Sequence, residues 1–205
     1  MNGKIRLGIF GGTFNPPHRG HIESAKNFIE EMSLDKLLIV PTLIPPHKSC
    51  EEMATAEQRL EMCELAFSSI PKCEISHIEV ERGGKSYTYM TIEELKSCDI
   101  ELFLLCGTDM ILTMDSWMKP EIIFSNATIC YARRECDEAN DSKIEEKIAL
   151  YKEKYGAEIV FLDSPVIEIS SSEIRNKIKS GESCDGFLTE EVKKYLTDSE
   201  LYNEL

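Results

Sequence analysis

A chain of 205 residues, 42% of them hydrophobic, suits one domain and can bury a core without disulfides or a structural metal. Its formal net charge of −14 repels polyanions at long range and argues against a nucleic-acid-binding role. No apolar run approaches the roughly 18–20 residues of a membrane span, and residues 1–4 carry no signal-peptide pattern, so a cytoplasmic protein without a membrane partner is expected.

Apolar runs that read as buried strands alternate with amphipathic stretches along the chain. Residues 5–10 give a first strand, followed by a glycine-rich loop and a helix over 20–32. A second strand spans 36–41, then a proline-rich loop and a helix over 56–69. The run 74–80 reads as a third strand, 87–97 as a helix and 101–106 as a strong strand. Residues 115–120 read as a loop, and strands over 127–132 and 158–162 flank a charged helix over 142–155. This rhythm predicts an α/β fold of the Rossmann-like, doubly wound kind, with a mostly parallel sheet and helices on both faces. Such sheets bind ligands at the carboxyl ends of their strands, which sets segments 11–21, 41–48, 107–109 and 133–134 along one edge.

The last third differs. A helix over 170–180 opens with a capping-box spacing, Ser170 to Glu173, and Gly181 lies just past its end. A shorter helix over 189–196 starts at a Thr189 cap. With no repeats, low-complexity tracts or long linkers, residues 1–205 form one domain, and about 165–205 form a small helical C-terminal part.

The eight cysteines are scattered, with no C-x-x-C pair of the kind structural zinc uses. Cys106 and Cys130 sit inside apolar segments, where a free thiol acts as a small hydrophobe. Reduced thiols are the expectation, with no metal site built from protein side chains.

The segment richest in chemistry is 8–21, G-I-F-G-G-T-F-N-P-P-H-R-G-H. Gly11 and Gly12, directly after a strand, let backbone N–H groups come close to a phosphate. The loop, through Thr13 and Phe14, leads into a helix whose N-terminus presents further N–H donors to the same anion. His18 and His21, three apart, can face one side and donate to phosphate oxygens. Two glycines after a strand could serve shape alone, and two histidines three apart could be a metal pair. Their joint register with the Pro-Pro turn is what carries the phosphate reading.

This stretch resembles the signature of the H-x-G-H nucleotidyltransferase superfamily, and G-G-T-F-x-P-P-H-x-G-H resembles its nicotinate-nucleotide adenylyltransferase branch. Segments 45–48 (P-P-H-K), 86–88 (S-Y-T), 107–109 (G-T-D), Trp117, 133–134 (R-R) and 169–175 (I-S-S-S-E-I-R) match that branch in order. The resemblance implies that Thr13, His18, His21, Ser171 and Arg175 surround the phosphates of ATP, with His18, His21 and Arg175 as the catalytic set. It also implies that Thr88, Asp109 and Trp117 serve the pyridine mononucleotide. Asn15 stands where the branch more often has Asp, removing a charge beside the phosphates, and Met118 stands where an aromatic residue is common.

The residues support the same assignments, each beside a plainer alternative. Ser170 and Ser171 open a helix with hydroxyls that could bind phosphate or simply cap it. Trp117, the single tryptophan, could stack on a flat pyridine ring or cover the core. Asp109 could bind ribose hydroxyls or cap a helix. Arg134, with Arg133, could grip phosphate through its planar fork or form a solvated turn. His47 could reach the acceptor or lie in a plain surface loop.

The implied reaction is in-line attack of the mononucleotide phosphate on the α-phosphorus of ATP, catalysed by positioning and charge stabilisation without a covalent intermediate. Mg²⁺ is expected on the ATP phosphates, since magnesium keeps much of its shell as phosphate and water. Adenylyl transfer to phosphopantetheine, other H-x-G-H nucleotidyl transfers, and a regulator that binds nucleotide without turning it over remain alternatives. The oligomeric state, homo-oligomer included, is left open.

Overall fold

The computed structural model describes residues 3–46, 53–132, 141–163 and 169–202. His47 and Arg134, named above as candidate site residues, lie outside them, as do Lys48 and Arg133.

Six parallel strands form one sheet: β1 (Ile5–Gly12), β2 (Lys36–Pro41), β3 (Cys73–Ile75), β4 (Ile100–Gly107), β5 (Ala127–Ala132) and β6 (Ile159–Leu162). Their order across the sheet is β3-β2-β1-β4-β5-β6. The chain winds outward from β1 in one direction and from β4 in the other. Neighbouring connections therefore leave on opposite faces, and a crevice opens at the carboxyl ends of β1 and β4.

The period of two along each strand sorts the core into two halves. Phe10, Leu37, Ile39, Phe103, Leu105 and Cys130 point into one cluster. Leu7, Ile9, Leu38, Val40, Leu102, Leu104 and Ile129 point into the other. Helices α1 (Arg19–Glu31) and α2 (Ala56–Phe67) cover the first half. The C-terminal helices α8 (Ser171–Lys179) and α9 (Glu190–Asp198) join them there, through Ile174, Val192 and Leu196. Helices α4 (Thr88–Leu95), α6 (Pro120–Asn126) and α7 (Asp141–Tyr155) cover the second half. Strands buried on both faces explain why their sequences read as near-continuous apolar runs.

Gly8 lets α1 lie close on the sheet: a Cβ there would strike the Leu34 side chain and sit 2.9 Å from Leu37 Cδ1 and 3.0 Å from Phe28 Cε1. Six cysteines among the described residues are free thiols. Burial pushes the thiols of Cys73 and Cys130 up to about 12, so they stay protonated and act as packing groups.

Two expectations need correction. Residues 74–80 do not form one strand: β3 ends at Ile75, and α3 (Ile78–Arg82) is a short helix. The reason is tertiary. Helix geometry turns the Glu79 carboxylate inward, where it accepts from Thr91 Oγ1 at 2.7 Å, and brings Arg82 to Glu94 at 2.9 Å. The loop around Trp117 is also shorter than 115–120, with only 117–119 outside a helix or turn. A short helix, α5 (Thr108–Ile111), and a 3-10 turn (Met114–Ser116) precede it, and α6 follows with Pro120 at its first position.

Candidate active site

The glycine loop leaves β1 at the crevice, as its position after a strand requires. A Cβ on Gly11 would meet nothing within 4 Å, whereas one on Gly12 would lie 3.0 Å from the Phe14 ring. Space above the loop is thus left beside Gly11. Phe14 has a left-handed backbone (φ 50°) and is buried, its ring edge-on to Phe10, Phe67 and His21 at 5.4, 5.9 and 5.0 Å. The side chain of Phe14, a candidate phosphate-binding residue by sequence, is therefore a packing platform against His21.

His18 occupies the N-cap position of α1 with an extended backbone. The two imidazoles stack with ring centres 3.7 Å apart. His21 Nδ1 accepts the backbone N–H of His18 at 3.2 Å. Accepting that bond means Nδ1 carries no proton, so the ring hydrogen sits on Nε2, the nitrogen that would donate to a phosphate oxygen. Both histidines thus share one side at the start of α1, where the helix dipole also favours an anion.

The second motif singled out by the sequence arrives from the far end of the chain. Ser170 caps α8 by accepting from the Glu173 N–H at 3.1 Å, and Glu173 returns to the Ser170 N–H at 3.0 Å. That capping box consumes Ser170 in structure. Ser171 Oγ donates to the Pro16 carbonyl at 2.9 Å, and Arg175 Nη1 donates to the Asn15 carbonyl at 2.9 Å. The start of α8 is thereby docked on the loop that carries the histidines. Arg19 closes the same region, its backbone N–H donating to the Phe187 carbonyl at 2.8 Å and its Nε to the Leu188 carbonyl at 3.2 Å.

The Asn15 side chain points into the protein. It is buried, and its Oδ1 accepts from the Ala54 N–H at 3.0 Å and the Tyr202 hydroxyl at 2.7 Å. The residue ties the loop to the C-terminus. Tyr202→Phe should accordingly lower unfolding free energy by about 1–2 kcal/mol, the scale of one buried hydrogen bond. Denaturant unfolding measures it, and an unchanged midpoint would mean the bond has no net worth.

Of the residues that the sequence offers for the acceptor, Thr88 is the first residue of α4, whose N-cap residue, Tyr87, makes no side-chain cap. Asp109 is exposed in the first turn of α5, directly after β4. Trp117 is half-buried: it packs against the second core cluster, together with Tyr89 and Met110, and follows the 3-10 turn. That turn is pinned by Asp115, whose carboxylate takes Lys147 Nζ at 2.8 and 2.7 Å and the Tyr151 hydroxyl at 3.1 Å. The Lys147 ammonium holds the Asp115 carboxyl below the usual carboxylate range. Lys119 Nζ lies 4.6 Å from the centre of the Tyr89 ring, linking the tryptophan segment to the first turn of α4. Thr88 and Trp117 are thus brought to neighbouring elements.

If Trp117 stacks on the acceptor ring, mononucleotide binding should quench its fluorescence, and Trp117→Ala should raise the acceptor KM roughly two- to tenfold. An unchanged KM with a lowered melting temperature would make it a core residue only.

Sequence reasoning missed Arg59 altogether. Its side chain is wholly buried, with Nε on the Ala54 carbonyl (3.1 Å), Nη1 on Thr13 (3.0 Å) and Nη2 on Leu43 (3.2 Å). The one available signal was an arginine on the apolar face of α2 beside Leu60, Met62 and Cys63. Among the described residues, no three His, Cys, Asp or Glu side chains converge as a candidate metal site. No described helix is long and apolar enough to cross a membrane.

Comparison with known proteins agrees with this layout. A family model described as "Cytidylyltransferase-like" matches residues 9–177. A relative from Lachnoclostridium phytofermentans, named "Probable nicotinate-nucleotide adenylyltransferase", is 36% identical over 199 residues, 96% of this chain and 98% of its own. One of the same name from Clostridium botulinum is 35% identical, covering 97% of this chain and 98% of its own. Among solved structures, the Plasmodium falciparum nicotinic acid mononucleotide adenylyltransferase complexed with NaAD shares the fold. Its TM-score is 0.70 at 19% identity, over 96% of this chain and 97% of that one. With more than a third of its residues shared along nearly the full length of these relatives, the chain belongs to the nicotinate-nucleotide adenylyltransferase family of cytidylyltransferase-like proteins.

Proposed function

We propose that this chain transfers AMP from ATP to nicotinate mononucleotide, forming deamido-NAD and pyrophosphate in NAD biosynthesis. The observation that carries the reading is the docking of Ser171 and Arg175 onto the carbonyls of Pro16 and Asn15, which brings a guanidinium and a hydroxyl to the loop that carries His18 and His21 in a molecule of net charge −14. The relatives' names supply the acceptor.

In the reaction, an oxygen of the mononucleotide phosphate forms a bond to the α-phosphorus while the bond to the bridging oxygen of pyrophosphate breaks. His21 Nε2 and the His18 ring donate to the phosphate oxygens as negative charge moves onto the leaving group. Arg175, held by the Asn15 carbonyl, steadies the departing β- and γ-phosphates, with Thr13 and the glycine backbone beneath. Thr88, Asp109 and Trp117 hold the acceptor. Mg²⁺ would come as part of the ATP complex, held by phosphate and water, and would neutralise phosphate charge.

The test is pyrophosphate release with ATP, Mg²⁺ and a panel of acceptors: nicotinate mononucleotide, nicotinamide mononucleotide and phosphopantetheine. Turnover that favours nicotinate mononucleotide over the other two acceptors supports the reading. Turnover only with phosphopantetheine, or ATP binding with no release from any acceptor, overturns it.

A further inference from the structure

Burying a guanidinium costs several kcal/mol unless its donors are satisfied in good geometry, so the three carbonyls around Arg59 say what the fold gains by it. Ala54 belongs to the approach to α2 itself. Thr13 belongs to the phosphate loop, and Leu43 to the segment after β2.

That segment leads onward to the acceptor. The Leu43 N–H donates to Ser86 Oγ at 2.9 Å, and the Ser86 N–H donates to the Ile44 carbonyl at 3.0 Å. Ser86 is buried and lies two residues before Thr88 at the start of α4. One continuous path therefore runs from Thr13 through Arg59 and Leu43 to Ser86. It joins the two sides of the reaction through a planar fork whose donors sit at fixed angles.

We propose that Arg59 is a positioning residue: it sets the phosphate loop and the acceptor segment in the mutual register that in-line attack requires. The inference rests on the adenylyl-transfer reading above. Each substrate meets its own side, so each should still bind when the link is cut. What suffers is the alignment of the attacking oxygen with the α-phosphorus, and a misplacement of about 1 Å costs on the order of a hundredfold in rate.

Arg59→Lys keeps the charge and loses the fork; Ser86→Ala cuts the far end of the path without touching any charge. For both, kcat is measured by pyrophosphate release, and the Kd of ATP and of nicotinate mononucleotide, each alone, by calorimetry. Arg59→Lys should lose about thirtyfold or more in kcat with each Kd within about threefold, and Ser86→Ala about three- to tenfold in the same pattern. The double variant should be less impaired than the product of the two single losses, because both cut one path.

A merely structural Arg59 would instead lower the melting temperature and weaken both substrates while kcat at saturation stayed near wild type. That result, or wild-type kinetics in a folded Arg59→Lys, overturns the proposal. Should Arg59→Lys fail to fold, Ser86→Ala decides: lost kcat with intact binding supports it, and unchanged kcat overturns it. Absence of turnover in the wild-type protein would instead sink the functional reading itself.

Discussion

His21→Ala should lower kcat by about a hundredfold or more, while the acceptor KM moves far less and the fold persists. The basis is the value of one preorganised donor aimed at developing negative charge, about 2.7–4 kcal/mol. The structure sharpens the expectation by fixing the tautomer: the His18 N–H occupies Nδ1, so the hydrogen lies on Nε2. No ring need rotate or exchange its proton before donating. His18→Ala should fall similarly in rate, but with an added loss of stability, since the buried His18 ring stacks on His21 at the start of α1. Steady-state pyrophosphate release together with thermal unfolding separates the two. Near-normal turnover in His21→Ala would remove that residue from the mechanism.

The second large effect is the choice between nicotinate and nicotinamide mononucleotide, which differ by a carboxylate against a neutral amide. Helix α4 begins at Thr88, and the Tyr87 side chain does not cap it. By helix geometry, the first N–H groups have no intrahelical partner and present a partial positive charge. Lys119 adds a cation near the same turn, over the ring of Tyr89. A carboxylate satisfies those donors. An amide turns its own NH₂ toward them, leaving polar groups unpaired at about 1–3 kcal/mol each. Two such mismatches correspond to roughly a hundredfold, so kcat/KM should favour the acid by at least about that factor. Competition between the two acceptors in one assay measures the ratio. Equal use of both would overturn the acceptor assignment and leave the adenylyl-transfer chemistry in place.

What the sequence determined by itself was everything written in local pattern. The strands Lys36–Pro41 and Ala127–Ala132 stand where their apolar runs put them, because a strand buried on both faces must be apolar throughout. Ser170 and Thr189 cap helices because a hydroxyl at that position meets the N–H three residues on. The glycine loop with His18 and His21 was legible for the same reason: its donors are neighbours in the chain. Tertiary structure decided the rest. Residues 78–82 are helical because Glu79 and Arg82 find Thr91 and Glu94 on α4, partners that local periodicity does not contain. Asn15 faces the Tyr202 hydroxyl, 187 residues away. Beyond its place on the apolar face of α2, Arg59 gave no sign of its partners, since these are backbone carbonyls, which every residue carries, and only the packing of three separate segments selects which ones it meets.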